Sequence, residues 1–160
     1  MWKRILIISA CALVVLGASL YQLLSSLLSE RHTLEAEARA LVAEKTNIAE
    51  IDTIEVYRGR EAYIVVTGKN KVGTPVVAWF SKEHVTFDLL EKAFPRTKVK
   101  QVAEASYPGA QIERIVPGLE GDKKLWEVTL VDKQNRYNYV YYDFLTGQKI
   151  RAYTLNIPKS

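Results

Sequence analysis

Reactive side chains are scarce in this sequence. Its 160 residues include one cysteine, Cys11, and two histidines, His32 and His84. A single cysteine excludes a disulfide framework, and its place inside an apolar run removes thiol chemistry from the rest of the chain. Two distant histidines, neither in a His-Glu-x-x-His arrangement, do not make a zinc site. There is no Gly-x-Ser-x-Gly, no phosphate-cradling glycine loop and no Asn-x-Ser/Thr sequon. A hydrolase needs a nucleophile with its base, or a metal with its ligands. Neither is visible as a motif, so no catalytic residue, metal or cofactor is assigned and an enzyme is not expected. Acids such as Glu113 and Glu127 fall on strands, where a solvated face accounts for them. His84, beside Glu83, reads as a surface histidine. Positive charge is also thin: the net charge is +4, of which Lys3 and Arg4 supply half. A nucleic-acid partner would demand a clustered basic face, and none is expected here.

What the sequence does have begins at its start. Met1-Trp2-Lys3-Arg4 precedes an apolar run from Ile5 to Leu24, and no Asp, Glu, Lys or Arg intervenes before Glu30. About 20 apolar residues in a helix cross a hydrocarbon core about 30 Å thick. Basic residues ahead of the run hold the N-terminus in the cytoplasm. Three readings are open. An uncleaved single-pass anchor over residues 1–28 is favoured, with the remainder extracellular. Cleaved export would want a small residue where Leu16 stands before Gly17-Ala18. A lipoprotein signal at Cys11 would have too few apolar residues before the cysteine and too many after it.

Beyond the anchor remain about 130 residues, enough for one ordinary domain or two very small ones. From Glu30 to Glu50, Leu34, Ala38, Leu41, Val42, Ile48 and Ala49 recur near a helical period. That helix is a stalk, a dimer-forming coil or the first helix of a folded domain, with the last favoured. Ile51–Tyr57, Ala62–Thr67 and Pro75–Phe80 then read as an antiparallel meander separated by glycine-bearing turns. Residues 81–94 are ambiguous between a short strand around Val85 to Phe87 and a helix from Thr86 to Lys92. A helix over 95–106 opens on Pro95 and stops at Tyr107-Pro108-Gly109.

A second meander follows: Ala110–Val116, a turn over Pro117–Asp122, then Leu125–Val131 and Tyr137–Phe144. In Leu125–Val131, Trp126, Val128 and Leu130 face the core while Glu127 and Thr129 face away. Tyr137, Tyr139 and Tyr141 share one face of their strand. Lys149–Leu155 adds a short last strand. Helix-strand-strand-strand thus occurs twice, and Tyr63 and Trp79 stand as far apart as Trp126 and Tyr142. This points to an α+β chain: an N-terminal transmembrane helix and two tandem units, 29–94 and 95–160, each a helix on a small antiparallel sheet.

The helix, Tyr107-Pro108-Gly109, a Trp-bearing strand and Tyr141-Tyr142-Asp143-Phe144-Leu145-Thr146-Gly147-Gln148-Lys149 resemble a PepSY domain. The order of anchor, Tyr-Ile-Val-Val strand, Gly-Thr-Pro-Val-Val-Ala-Trp strand and PepSY-like end resembles the YpmB/TseB-like family of cell-wall elongation regulators. The resemblance implies an extracytoplasmic protein of a Gram-positive bacterium that binds a penicillin-binding transpeptidase. An alternative it implies is a PepSY-type inhibitor or chaperone of a secreted peptidase. The family offers no catalytic motif to carry over. Trp79 and Tyr142 are the candidate partner contacts. The run Lys92, Arg96, Lys98, Lys100 reads as a solvated helix side before it reads as a site for anionic headgroups.

Overall fold

In a computed structural model, residues 2–156 are described, with side chains throughout except at 2–15, 23, 24 and 26–31. One helix, α1, spans Trp2–Lys45. No proline falls within it, and the helix runs unbroken from the apolar run into the segment read as a stalk, a coil or a domain's first helix. The side chains of Ile5 to Val15, on which much of the anchor expectation rests, lie outside the described residues. Among the described residues, no helix is long and apolar enough to cross a membrane.

The helix stops earlier than its apolar period suggests. Thr46 donates its hydroxyl back to the Val42 carbonyl at 2.9 Å, and the Thr46 Oγ1 accepts the Ile48 N–H at 3.3 Å. Ile48 to Glu50, read as helix from the sequence, therefore begin a strand instead. Threonine hydroxyls compete with backbone partners in this way, and the β-branched residues that follow favour extended chain.

Residues 41–160 form a compact unit. Its first sheet takes β1 (Ile48–Arg58), β2 (Ala62–Asn70), β3 (Pro75–Phe80) and β4 (Val85–Leu89) in sequence order, all antiparallel. The ambiguous stretch is thus a strand followed by a single 3₁₀ turn over Leu90–Lys92. Helix α2 (Arg96–Ser106) comes next and buries Val99 and Ala103. The second sheet repeats the meander with β5 (Gln111–Glu120), β6 (Lys123–Val131), β7 (Arg136–Asp143) and β8 (Lys149–Asn156). Each sheet has four strands, the fourth being the once ambiguous Val85 stretch in the first and the short last strand in the second.

Two further expectations are corrected. The turn placed at Pro117–Asp122 lies only at Gly121-Asp122, because β5 continues through Pro117 and Gly118. An edge strand accommodates proline, whose missing N–H is not needed by a ladder on that side. The alternation expected in β6 also fails, since Leu125 to Leu130 are buried on both faces, Glu127 included. A central strand packed on both sides loses the polar-out pattern.

One core cluster joins the sheets. Tyr57, Val65, Val77 and Trp79 from the first pack with Val116, Leu125, Trp126, Val128 and Phe144 from the second half. Trp79 meets Phe144 edge-on at 5.7 Å, and Trp126 stacks on Phe144 at 5.5 Å. The Trp79 indole donates to the Pro117 carbonyl at 3.0 Å, so its polar atom is accommodated in the core. The turn ahead of β8 is also held against this core: Phe94 N–H donates to the Phe144 carbonyl at 2.7 Å. Gly147 sits at φ +70°, where a Cβ would lie 2.4 Å from the Phe94 ring, so glycine is required twice over.

Strand β1 carries two bulges, at Ala49 and Asp52, which let it bend along β2. The first brings the Glu50 carbonyl so close to Gly68 that an added Cβ would lie 2.1 Å from it. Gly68→Ala is expected to destabilise the fold by about 1–3 kcal/mol, as over-packing against backbone does. Urea unfolding of the variant beside the parent chain measures this, and an unchanged midpoint would show that the bulge yields freely.

Candidate interaction surface

The tyrosine strand and the last strand together build an aromatic face. Cross-strand partners are Tyr137 with Leu155, Tyr139 with Tyr153 and Tyr141 with Arg151. Opposed residues on one side of an antiparallel pair lie within side-chain reach, so these six form a ladder. Exposure is graded along it, from Tyr141 at 8% through Tyr137 at 38% to Tyr153 and Leu155 at 56% each. The Arg151 guanidinium lies over the Tyr141 ring at 4.2 Å, and the Tyr153 ring meets Tyr141 edge-on at 5.9 Å. Such contacts hold rings in place at little entropic cost.

The inner end of the ladder is anchored by charge. Glu120 accepts a bond from Arg151 and another from the Tyr57 hydroxyl at 2.9 Å. Glu127 accepts from Arg114 at 2.7 Å, and Arg114 also donates to the Val56 carbonyl at 2.9 Å. Burial pushes the Tyr57 phenol up, and its bond to the Glu120 carboxylate pushes it further. Burial likewise raises Tyr141, with the Glu127 charge adding to it. For Arg151 burial acts to lower the pKa, but the Glu120 carboxylate outweighs it and the net shift is upward. The tyrosines thus remain neutral donors and the guanidinium remains charged. Each carboxylate is engaged by a guanidinium, which suits holding a shape better than moving a proton.

Beside the ladder, the β6–β7 turn is organised by Asp132. Its carboxylate takes the Arg136 guanidinium at 2.8 Å, the N–H groups of Gln134 and Arg136 at 3.0 Å each, and the Asn138 amide at 3.2 Å. Arg136 is the chief reason that its carboxyl falls from the ordinary 3.8 to about 2. A cleft of about 380 Å³ between this turn and the end of α2 is lined by Tyr107, Asp132, Asn138 and Thr154 among others. Several of its polar groups are committed to one another, as in the 2.7 Å bond from Thr154 to Asn138. Among the described residues, no group of three or more His, Cys, Asp or Glu is placed to hold a metal ion.

The two candidate contacts read from the sequence are not on this face. Trp79 and Tyr142 are both wholly buried, so neither presents surface to a partner. Their regular spacing marks core positions of two similar sheets. Glu127 is not solvated as expected but buried and paired, whereas Glu113 is exposed at a β5 bulge. His84 is an exposed residue 3.9 Å from Glu83. Of the basic run, Arg96 reaches Glu55 at 3.3 Å and Lys100 reaches Glu104 at 3.8 Å. Arg151 and Glu120 escaped notice because only the pairing of β8 with β7 brings them together.

Two meandering antiparallel sheets on a shared core, preceded in sequence by a long helix, make this an α+β fold. The family described as "Cell wall elongation regulator TseB-like domain" matches residues 37–81, which reach from α1 to just past β3. The chain is similar to the "Probable cell wall elongation regulator TseB" of Bacillus subtilis (strain 168), being 29% identical over 147 residues that cover 89% of each. It is also similar to the solved YpmB protein from Bacillus subtilis, with a TM-score of 0.62 and 27% identity over 77% of this chain and 95% of that one. The chain thus resembles TseB-like proteins over most of its length.

Two outcomes are expected. Arg114→Ala strands Glu127, which is 4% exposed, and costs about 3 kcal/mol, as loss of one member of a buried pair does. The double variant Arg114→Met, Glu127→Leu loses less than that single change, and urea unfolding of both distinguishes them. Asp132 has a folded pKa below its ordinary one, so its contribution is present above 3.8 and is lost as pH falls through about 2. Asp132→Asn therefore flattens the dependence of thermal stability on pH across that window, read from melting curves.

Proposed function

We propose that this chain is a membrane-anchored, extracytoplasmic regulator of cell-wall elongation that works by binding a penicillin-binding transpeptidase. The observation that carries the reading is the similarity over 89% of the chain to a curated protein named as a cell wall elongation regulator. The basic start and the apolar run from Ile5 to Leu24 support the anchor. Residues 95–160 take the PepSY-like part, on the strength of Tyr107-Pro108-Gly109 and the Asp143 to Gly147 turn. An aromatic face with paired charges behind it suits recognition, since tyrosine and arginine favour interfaces. Tethering to the membrane raises the effective concentration at which a weak binder meets its enzyme. No catalytic step is assigned to the chain.

The test is chemical crosslinking of the anchored full chain in growing cells, with captured species identified by mass spectrometry. A penicillin-binding transpeptidase is expected among them. Recovery of a secreted peptidase without any synthase would overturn the reading in favour of a PepSY-type inhibitor or chaperone.

A further inference from the structure

The four sheet edges of residues 41–160 are not alike. Edges β1 and β5 lie side by side and are bridged by Arg114 to Val56 and by Tyr57 to Glu120. β1 carries two bulges, while β5 carries Pro117 and a bulge at Glu113. Edge β4 is five residues long. Short length, proline, bulges and coverage are the devices that keep an edge from pairing with another chain.

Edge β8 lacks nearly all of them. It runs for eight residues without proline, pairs only with β7 among the described residues, and keeps unbroken register from Arg151 to Asn156. Its one bulge, at Ile150, comes before that stretch. From Ala152 to Asn156 it bears no charge, and Tyr153 and Leu155 are each 56% exposed. The charge it does bear is all positive: Lys149 and Arg151, with no acid anywhere in the strand. Arg151 is turned inward to Glu120, which leaves Lys149, with its 3.0 Å contact to the Tyr107 hydroxyl, as the cation at the strand's outer start.

An extended strand with free N–H and C=O groups along one side is completed by another extended strand. The geometry points to β8 receiving a segment of a partner protein as a fifth strand of the second sheet. That segment is apolar where it runs beside Tyr153 and Leu155 and acidic where it passes Lys149. A second copy of this chain fits less well, because pairing β8 with itself brings together two strands that carry only positive charge. The inference rests on the reading that the chain acts through a protein partner, and it names the edge by which that partner is held.

Photo-crosslinking residues placed singly at Tyr153, Thr154 and Leu155 of the anchored full chain test this in cells, with Val72 as the control. Val72 is 84% exposed in the distant β2–β3 turn. An added strand neighbours both faces of β8, so all three positions capture the same identified protein and Val72 does not. Mapped crosslinks fall within one short segment of that protein containing apolar residues and an acid. Tyr153→Lys with Leu155→Lys lowers capture from Thr154 at least tenfold while the melting curve stays that of the parent. Capture from Tyr153 and Leu155 with Thr154 silent places the partner on the face and overturns strand addition. Capture of a second copy, or of nothing, at all three positions also overturns it. A transpeptidase still recovered by general crosslinking in those cases would leave the regulator reading standing and remove only the edge.

Discussion

The carboxylate of Glu120 joins three strands that backbone hydrogen bonds leave apart. Tyr57 reaches it from the first sheet and Arg151 from the far edge of the second, while Glu120 itself closes β5. No ladder connects β1 with β5, so side chains must hold the sheets in register where their edges meet. Arg114 does the same from β5 by engaging both Glu127 and the Val56 carbonyl. Outside the seam, Lys124 pairs with Asp88 and Arg96 with Glu55, again across the two halves of the sequence. Charge buried this way contributes less to net stability than apolar packing would, but it penalises any other alignment heavily. The core supplies the cohesion, and the polar seam selects one arrangement.

That division explains why the outer face can be aromatic and open. Arg151 would be costly to half-bury without an acid, and without Arg151 the Tyr141 ring would lose the cation packed on it at 4.2 Å. Glu120 thus sets, through one guanidinium, the positions of the rings that lead out to Tyr153. Shape at the exposed end is inherited from charge at the buried end.

Much of the architecture was legible in sequence, for local reasons. Tyr-Ile-Val-Val and Val-Val-Ala-Trp are strands by propensity, Pro95 opens α2 and Tyr107-Pro108-Gly109 closes it. What stayed hidden depends on distant contacts. Glu127 looks solvated by alternation, and only Arg114 and the second packed face of β6 account for its burial. Trp79 and Tyr142 drew notice as regularly spaced aromatics, but regular spacing is also what a core position repeated in two sheets produces. Pro117 looked like a turn because nothing in the sequence marks β5 as an edge. Thr46 gave a helix stop that apolar periodicity ran straight past.

The shared core has a consequence for the order in which the chain is made. Synthesis delivers the N-terminal half first, so β1 to β3 emerge while β5 and β6 are still to come. Until Pro117 arrives, the Trp79 indole has no carbonyl to meet, and the faces of Tyr57, Val65 and Val77 have nothing to cover them. For that interval the first sheet is a sticky half-body with an incomplete interior. Only as the chain passes Phe144 does the cluster gain the ring that both tryptophans pack against. Closure of the fold therefore waits on Phe144, and the nascent chain is most vulnerable to misassociation just before that residue emerges.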